Sequence, residues 1–142
     1  MKVKEIMTSP FEKIGADSSI CEASELMRSS DVGILPVERN GKIIGIVTDR
    51  DLIVRAIAQH LDPEDTAVSK VMTSEVTFCY EDDDIEDAER KLEEKQIHRL
   101  LVINNDEKPV GILSLSDLAT KAESNLACRA LEKICEPVGS RW

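Results

Sequence analysis

Basic side chains are scarce in this sequence: 18 lysines and arginines stand against 28 aspartates and glutamates in 142 residues, a formal charge of -10. That balance argues against general affinity for nucleic acid, which rests on clustered cations displacing counterions. Any anionic ligand must find a locally basic pocket. No run approaches the ~18 consecutive apolar residues of a membrane span, and the start MKVKEIMTSP has no apolar run of signal-peptide length. The expected compartment is therefore the cytoplasm, with no membrane partner. Cys21, Cys79, Cys128 and Cys135 show no CxxC spacing and lie mostly in apolar patterns, which reads as small core residues without disulfides. A phosphate-binding glycine loop and a recognisable Cys or His nucleophile motif are also missing, and His60 and His98 both have structural explanations. No enzyme is expected. The acidic run Glu81 to Asp84 has no calcium-loop glycine and falls at a helix start, where acids are favoured anyway. No metal site is expected there.

What the sequence has instead is a repeat. GIVTDRDL, Gly45 to Leu52, returns as GILSLSDL, Gly111 to Leu118. A shift of 65 positions lays Met7-Thr8-Ser9 on Met72-Thr73-Ser74, Ile20 on Ile85, Ala23 on Ala88, and Leu35 and Val37 on Leu100 and Val102. One added residue in the loop NNDEKP raises the shift to 66, and Gly45, Asp51 and Ala56 then fall on Gly111, Asp117 and Ala122. Agreement in order along both halves marks a duplicated unit. The boundaries read as 1–61 and 62–124, with a C-terminal helix and tail over 125–142.

Periodicity orders each half. Ile20, Ala23, Leu26 and Met27 share a helical face after Ser18 and Ser19, as Ile85, Ala88 and Leu92 do after Asp84. GILPV and KIIGIV, split by ERNG, read as two short buried strands, and LLVI and VGIL repeat them. A second helix follows each motif, from about Asp51 to His60 and from about Asp117 to Ser124. LACRALEKIC forms a last helix ending before Pro137. Helix, two strands and helix, used twice, is an α/β plan with two small sheets.

The motif also has a chemistry. A carboxylate accepts hydrogen bonds from adjacent hydroxyls such as those of a ribose, a task that suits Asp51 and Asp117. Thr48 and Ser114 place hydroxyls at helix starts, where free N–H groups attract phosphate. Gly45 and Gly111 remove a side chain where a flat base could lie close to the backbone. The same spacing, Thr48-x-x-Asp51 and Ser114-x-x-Asp117, also describes capping boxes that need no ligand.

Two copies of a strand, Gly-apolar-x-[Ser/Thr]-x-x-Asp and a helix, each opened by an (Ile/Val)-Met-Thr segment, resemble a pair of CBS domains, the modules named after cystathionine β-synthase. The resemblance covers residues 1 to about 124. It implies two mostly parallel small sheets with pseudo-two-fold symmetry and clefts for an adenosine ligand: AMP, ADP, ATP or S-adenosylmethionine. No cofactor is required. By position, Thr48 and Asp51 would share a cleft with His98 and Arg99, with Arg50 adding charge, while Ser114, Ser116 and Asp117 would share one with Gly33. His98 and Arg99 also read as a surface pair answering the acidic EDAERKLEE. The implied role is a regulatory module, a homodimer that signals to a protein effector. The alternative is a dimerisation or scaffold module whose motifs serve only as caps.

Overall fold

The computed structural model describes residues 1–122 and 124–136, the side chains of 124–127 excepted. The first repeat runs β1 (Ile14–Gly15), α1 (Ile20–Ser30), β2 (Ile34–Arg39), β3 (Lys42–Thr48) and a short α2 (Asp49–Asp51) that continues as a π-helix over Leu52–Ile57. The second runs β4 (Phe78–Tyr80), α3 (Ile85–Lys95), β5 (Arg99–Ile103), β6 (Pro109–Ser114) and α4 (Leu115–Lys121), followed by α5 (Ser124–Ile134). The expected α/β plan with two small sheets is present, and each sheet has three strands, ordered β1-β2-β3 and β4-β5-β6. In detail the sheets are mixed rather than mostly parallel: β1 and β4 pair in parallel with β2 and β5, which pair antiparallel with β3 and β6. The short turns ERNG and NNDEKP leave no room for the crossover that parallel neighbours need, so each forms a hairpin.

Local chemistry sets the helix ends. Ser19 Oγ accepts from Glu22 N at 3.0 Å and the Glu22 carboxylate accepts from Ser19 N at 3.3 Å, so a capping box opens α1. Its buried face is Ile20, Ala23 and Met27. Both α1 and α3 stop on a left-handed residue, Asp31 and Gln96, each with φ 53°. The last helix lies where the sequence puts it and stops at Ile134, ahead of Pro137 as expected. Among the described residues no helix is long and apolar enough to cross a membrane.

The chain forms two compact units, Glu12–Val76 on the one hand and Met1–Phe11 with the chain from Thr77 onward on the other. These differ from the sequence repeats, and the cores show why. In the first unit Leu35, Val37, Val47 and Ala56 pack with Val68 and Val71. In the second Leu100, Val102, Leu113 and Leu118 pack with Val3 and Ile6, and with Ala130 and Ile134 of α5. Each core is thus completed by the opening segment of the other repeat, delivered by matching 3-10 turns at Val3–Glu5 and Val68–Lys70. All four cysteines are free; Cys79 is buried, as expected of a core residue, and burial pushes its thiol up to about 12. The core reading does not extend to Cys128 on α5 and Cys135 just after it, which are exposed.

The seam between α3 and α5 holds one buried carboxyl. Glu89 is 4% exposed and its Oε1 has no hydrogen-bond partner. Burial, reinforced by the Glu93 carboxyl through a hydrogen bond and its charge, raises Glu89 to about 7 against the pull of Arg129 and Arg90. Glu86, Arg90 and Glu93 of α3 and Arg129, Glu132 and Lys133 of α5 line the surrounding cleft. Unfolding restores a carboxyl that ionises near 4.5. Stability from this group is therefore full below that value and lost as pH rises through about 7. Urea unfolding between pH 5 and pH 8 should show wild type losing more stability than Glu89→Gln, by at most about 3 kcal/mol. Parallel pH profiles would remove the assignment, because the background of net negative charge is common to both proteins.

Candidate functional site

Each motif sits at a corner where a strand becomes a helix. Thr48 and Ser114 end β3 and β6 in extended conformation, and their hydroxyls accept from the Asp51 and Asp117 amides at 3.1 Å each. In return Oδ2 of Asp51 accepts from Thr48 N and Oδ2 of Asp117 from Ser114 N, both at 2.9 Å, while the Ser114 hydroxyl also reaches Asp117 Oδ2 at 3.0 Å. Both motifs are closed capping boxes, in which Oδ1 is the oxygen that the cap does not use.

Two cations that sequence reasoning missed face Oδ1. Arg55 Nε lies 3.7 Å from Asp51 Oδ1, and Lys121 Nζ lies 3.2 Å from Asp117 Oδ1. The same cations bind backbone carbonyls of the opening segments: Arg55 Nη1 donates to Val71 O and Met72 O at 3.3 and 3.2 Å, and Lys121 Nζ donates to Ile6 O at 3.4 Å. Their signal was in the repeat, since each follows its aspartate by four positions on one helix face. At Asp117 there is a further contact, a hydrogen bond from Thr8 Oγ1 to Oδ1 at 3.4 Å.

The glycines need correcting. Thr8 and Ile112 exchange backbone hydrogen bonds of 2.8 and 3.0 Å, and Thr73 and Ile46 exchange bonds of 2.8 and 2.9 Å. A Cβ on Gly111 would meet Met7 Sδ at 2.7 Å and Thr8 O at 2.9 Å; on Gly45 it would meet Met72 Sδ at 2.6 Å and Thr73 O at 2.8 Å. The close approach read as room for a base is filled by the chain's own Met-Thr segment.

The remaining candidates divide between the units. Gly33 accepts from Asp49 N at 3.0 Å and so lies beside the motif of its own repeat, with Thr48, Asp51 and the exposed Arg50. His98 O accepts from Leu115 N at 2.9 Å and Arg99 stands opposite Ser114 on β6, which gathers His98, Arg99, Ser114, Ser116 and Asp117 in the other unit. His98, Arg99 and Ser116 are exposed. The partnerships of Thr48 and Asp51 with His98 and Arg99, and of Gly33 with the Ser114 group, join residues of different units and rest on the resemblance alone. Among the described residues, no cluster of three or more His, Cys, Asp or Glu side chains is placed to hold a metal ion.

A duplicated unit with a Gly-containing strand, a capped aspartate at the strand end and a Met-Thr opening segment defines a tandem small-domain class. The CBS domain model matches residues 3–57 and 68–124, and the chain belongs to the CBS domain family. It is 37% identical over 123 residues to the CBS domain-containing protein YhcV of Bacillus subtilis, covering 87% of this chain and 86% of that one. Its fold resembles that of a conserved CBS domain protein of unknown function from Thermoplasma acidophilum, with TM-score 0.82, 25% identity, and coverage of 94% of this chain and 75% of that chain. It also resembles the CBS domain pair of protein MJ0100 in complex with 5′-methylthioadenosine and S-adenosyl-L-methionine, with TM-score 0.73, 27% identity, and coverage of 84% and 93%.

Gly45→Ala and Gly111→Ala are each expected to destabilise their unit by about 1–3 kcal/mol, because a backbone carbonyl rather than only a flexible methionine must move. Denaturant midpoints check this. A loss below about 0.5 kcal/mol at both positions would show that the approach is not tight.

Proposed function

We propose that this protein is a non-catalytic regulatory module that binds an adenosine-containing ligand through Asp51, Asp117 or both, and passes its occupancy to a partner protein. The observation that carries the reading is the state of the two carboxylates. Each is fixed by a cap through Oδ2, while among the described residues the contacts of Oδ1 are long, 3.7 Å at Asp51 and 3.2 and 3.4 Å at Asp117. A pre-oriented acceptor of that kind suits the paired hydroxyls of a ribose. The ligands named for the MJ0100 domain pair, both of which carry a ribose, support the adenosine class. Thr48, Ser114 and Ser116 supply neighbouring hydroxyls, His98 a ring N–H, and Arg50 and Arg99 positive charge for a phosphate in a protein of net charge -10. A second reading, a scaffold module without ligand, is favoured by the capping boxes, which are complete with no ligand present.

Thermal melts with AMP, ATP and S-adenosylmethionine separate the two, since a ligand at 100 times its Kd adds ~2.7 kcal/mol. No shift with any of them leaves the scaffold reading. With a phosphate-bearing ligand that binds, Arg99→Ala should weaken AMP roughly ten- to a hundredfold and adenosine little, because a charge-assisted hydrogen bond of roughly 1.5–3 kcal/mol is lost. Equal losses in calorimetric titrations would mean that Arg99 is not a phosphate contact.

A homodimer is part of the same proposal. Ile53 is 61% exposed and Ile57 52%, and together with Val54 and Leu61 they form an apolar stripe on and just after the π-helix. In the other unit the equivalent helical layer is covered by α5, whose Ala130 and Ile134 enter the core. A second copy is the proposed cover for the stripe. Sedimentation at micromolar concentration should give a dimer mass for wild type and a monomer for Ile53→Glu/Ile57→Glu; a monomeric wild type overturns this part.

A further inference from the structure

The cations behind the two aspartates repeat with the fold, and they do more than offset a negative charge. Lys121 spans Asp117 Oδ1 at 3.2 Å and Ile6 O at 3.4 Å, and Arg55 spans Asp51 Oδ1 at 3.7 Å and the carbonyls of Val71 and Met72 at 3.3 and 3.2 Å. In each unit one side chain ties the motif carboxylate to the segment that enters from the other repeat. The two ties are unequal. Asp117 Oδ1 also receives the Thr8 hydroxyl, from the opening segment itself, so both of its lone-pair directions are engaged. Asp51 Oδ1 has one long contact among those described, and its side chain is somewhat more open, 12% against 8%.

We infer that Lys121 and Arg55 are positioning residues that latch the opening segments to the motif carboxylates, and that the Asp117 latch must open when a hydroxyl-bearing ligand engages Oδ1. The second step rests on the adenosine reading above; the first does not. A ligand hydroxyl at Asp51 adds to an oxygen with room for it. At Asp117 it displaces Thr8 or Lys121, and either loss removes one of the two side-chain ties between Ile6–Thr8 and the carboxylate. The backbone pairing between Thr8 and Ile112 and the bond from Ser9 Oγ to Val110 O at 2.8 Å then hold the segment with one tie fewer. Occupancy of the Asp117 site is in this way converted into loosening of a segment whose Val3 and Ile6 help fill the core of the unit.

Amide hydrogen exchange reads the latch directly, at Thr8 N and Ile112 N, which bond to each other's carbonyls. In the ligand-free protein Lys121→Met, which keeps most of the apolar stem, should speed exchange at both amides about fivefold, the equivalent of one net hydrogen bond. Thr8→Val should act in the same direction. Lys121→Arg, which installs the cation of the other repeat, should restore the wild-type rate. Unchanged exchange in both Lys121→Met and Thr8→Val, or failure of Lys121→Arg to restore the rate, overturns the latch. For the ligand step the probes are AMP and S-adenosylmethionine, each at a concentration that saturates the melting shift. Exchange at Thr8 and Ile112 should rise on saturation in wild type and change little in Asp117→Asn. A fall or no change in wild type, with binding established by the melt, overturns release. If neither probe shifts the melt, the adenosine reading fails and the release step with it, while the ligand-free rates still decide the latch.

Discussion

One backbone approach organises each unit: a Met-Thr segment pressed against the strand that leads into the motif helix. Thr8 pairs with Ile112 and Thr73 with Ile46, over glycines that leave no Cβ between them. From that contact the rest follows. The 3-10 turn just before each Met-Thr pair delivers valine and isoleucine or a second valine to the core, Val3 and Ile6 in one unit and Val68 and Val71 in the other. The carbonyls it exposes are those that Lys121 and Arg55 bind. The motif carboxylate therefore faces chain rather than open solvent on that side.

The aspartates carry two tasks that pull on different oxygens. Oδ2 belongs to the helix start in both copies, and Oδ1 belongs to whatever lies beyond it. A substitution that removes the whole carboxyl disturbs both at once, so a stability change and a binding change are entangled in alanine variants. Asparagine keeps an oxygen for the cap and separates them. The second repeat also differs from the first in chemistry that the duplication does not preserve: lysine for arginine, serine for threonine, and His98-Arg99 where the first has Gly33-Ile34.

Much of this was legible in the sequence because it is local. Ser19 and Glu22 cap α1 as a short-range pattern, and the hairpins announce themselves through apolar runs around polar turns. The third strand of each sheet was not legible, since Ile14–Gly15 and Phe78–Tyr80 are too short to show alternation. Neither was the π-helix over Leu52–Ile57, whose apolar spacing looks like that of an α-helix while Ala58 bonds back to Ile53 rather than to Val54. Gly45 and Gly111 correctly signalled a close approach, but sequence cannot say what approaches. The occupant comes from the opening segment of the other repeat, a contact that no local period encodes. The spacing of Arg55 and Lys121 four positions behind the aspartates was legible, but their carbonyl partners in those distant segments were not.

The exchange of opening segments also decides whether either half can stand by itself. A fragment cut to the first repeat, 1–61, keeps residues 1–11, which pack in the other unit, and lacks Val68 and Val71 from its own; a fragment beginning at 62 lacks Val3 and Ile6. Each repeat taken by itself therefore carries a first segment that its own unit does not use and lacks the one that fills its core. Neither half of this chain can be removed without opening the core of the half that stays.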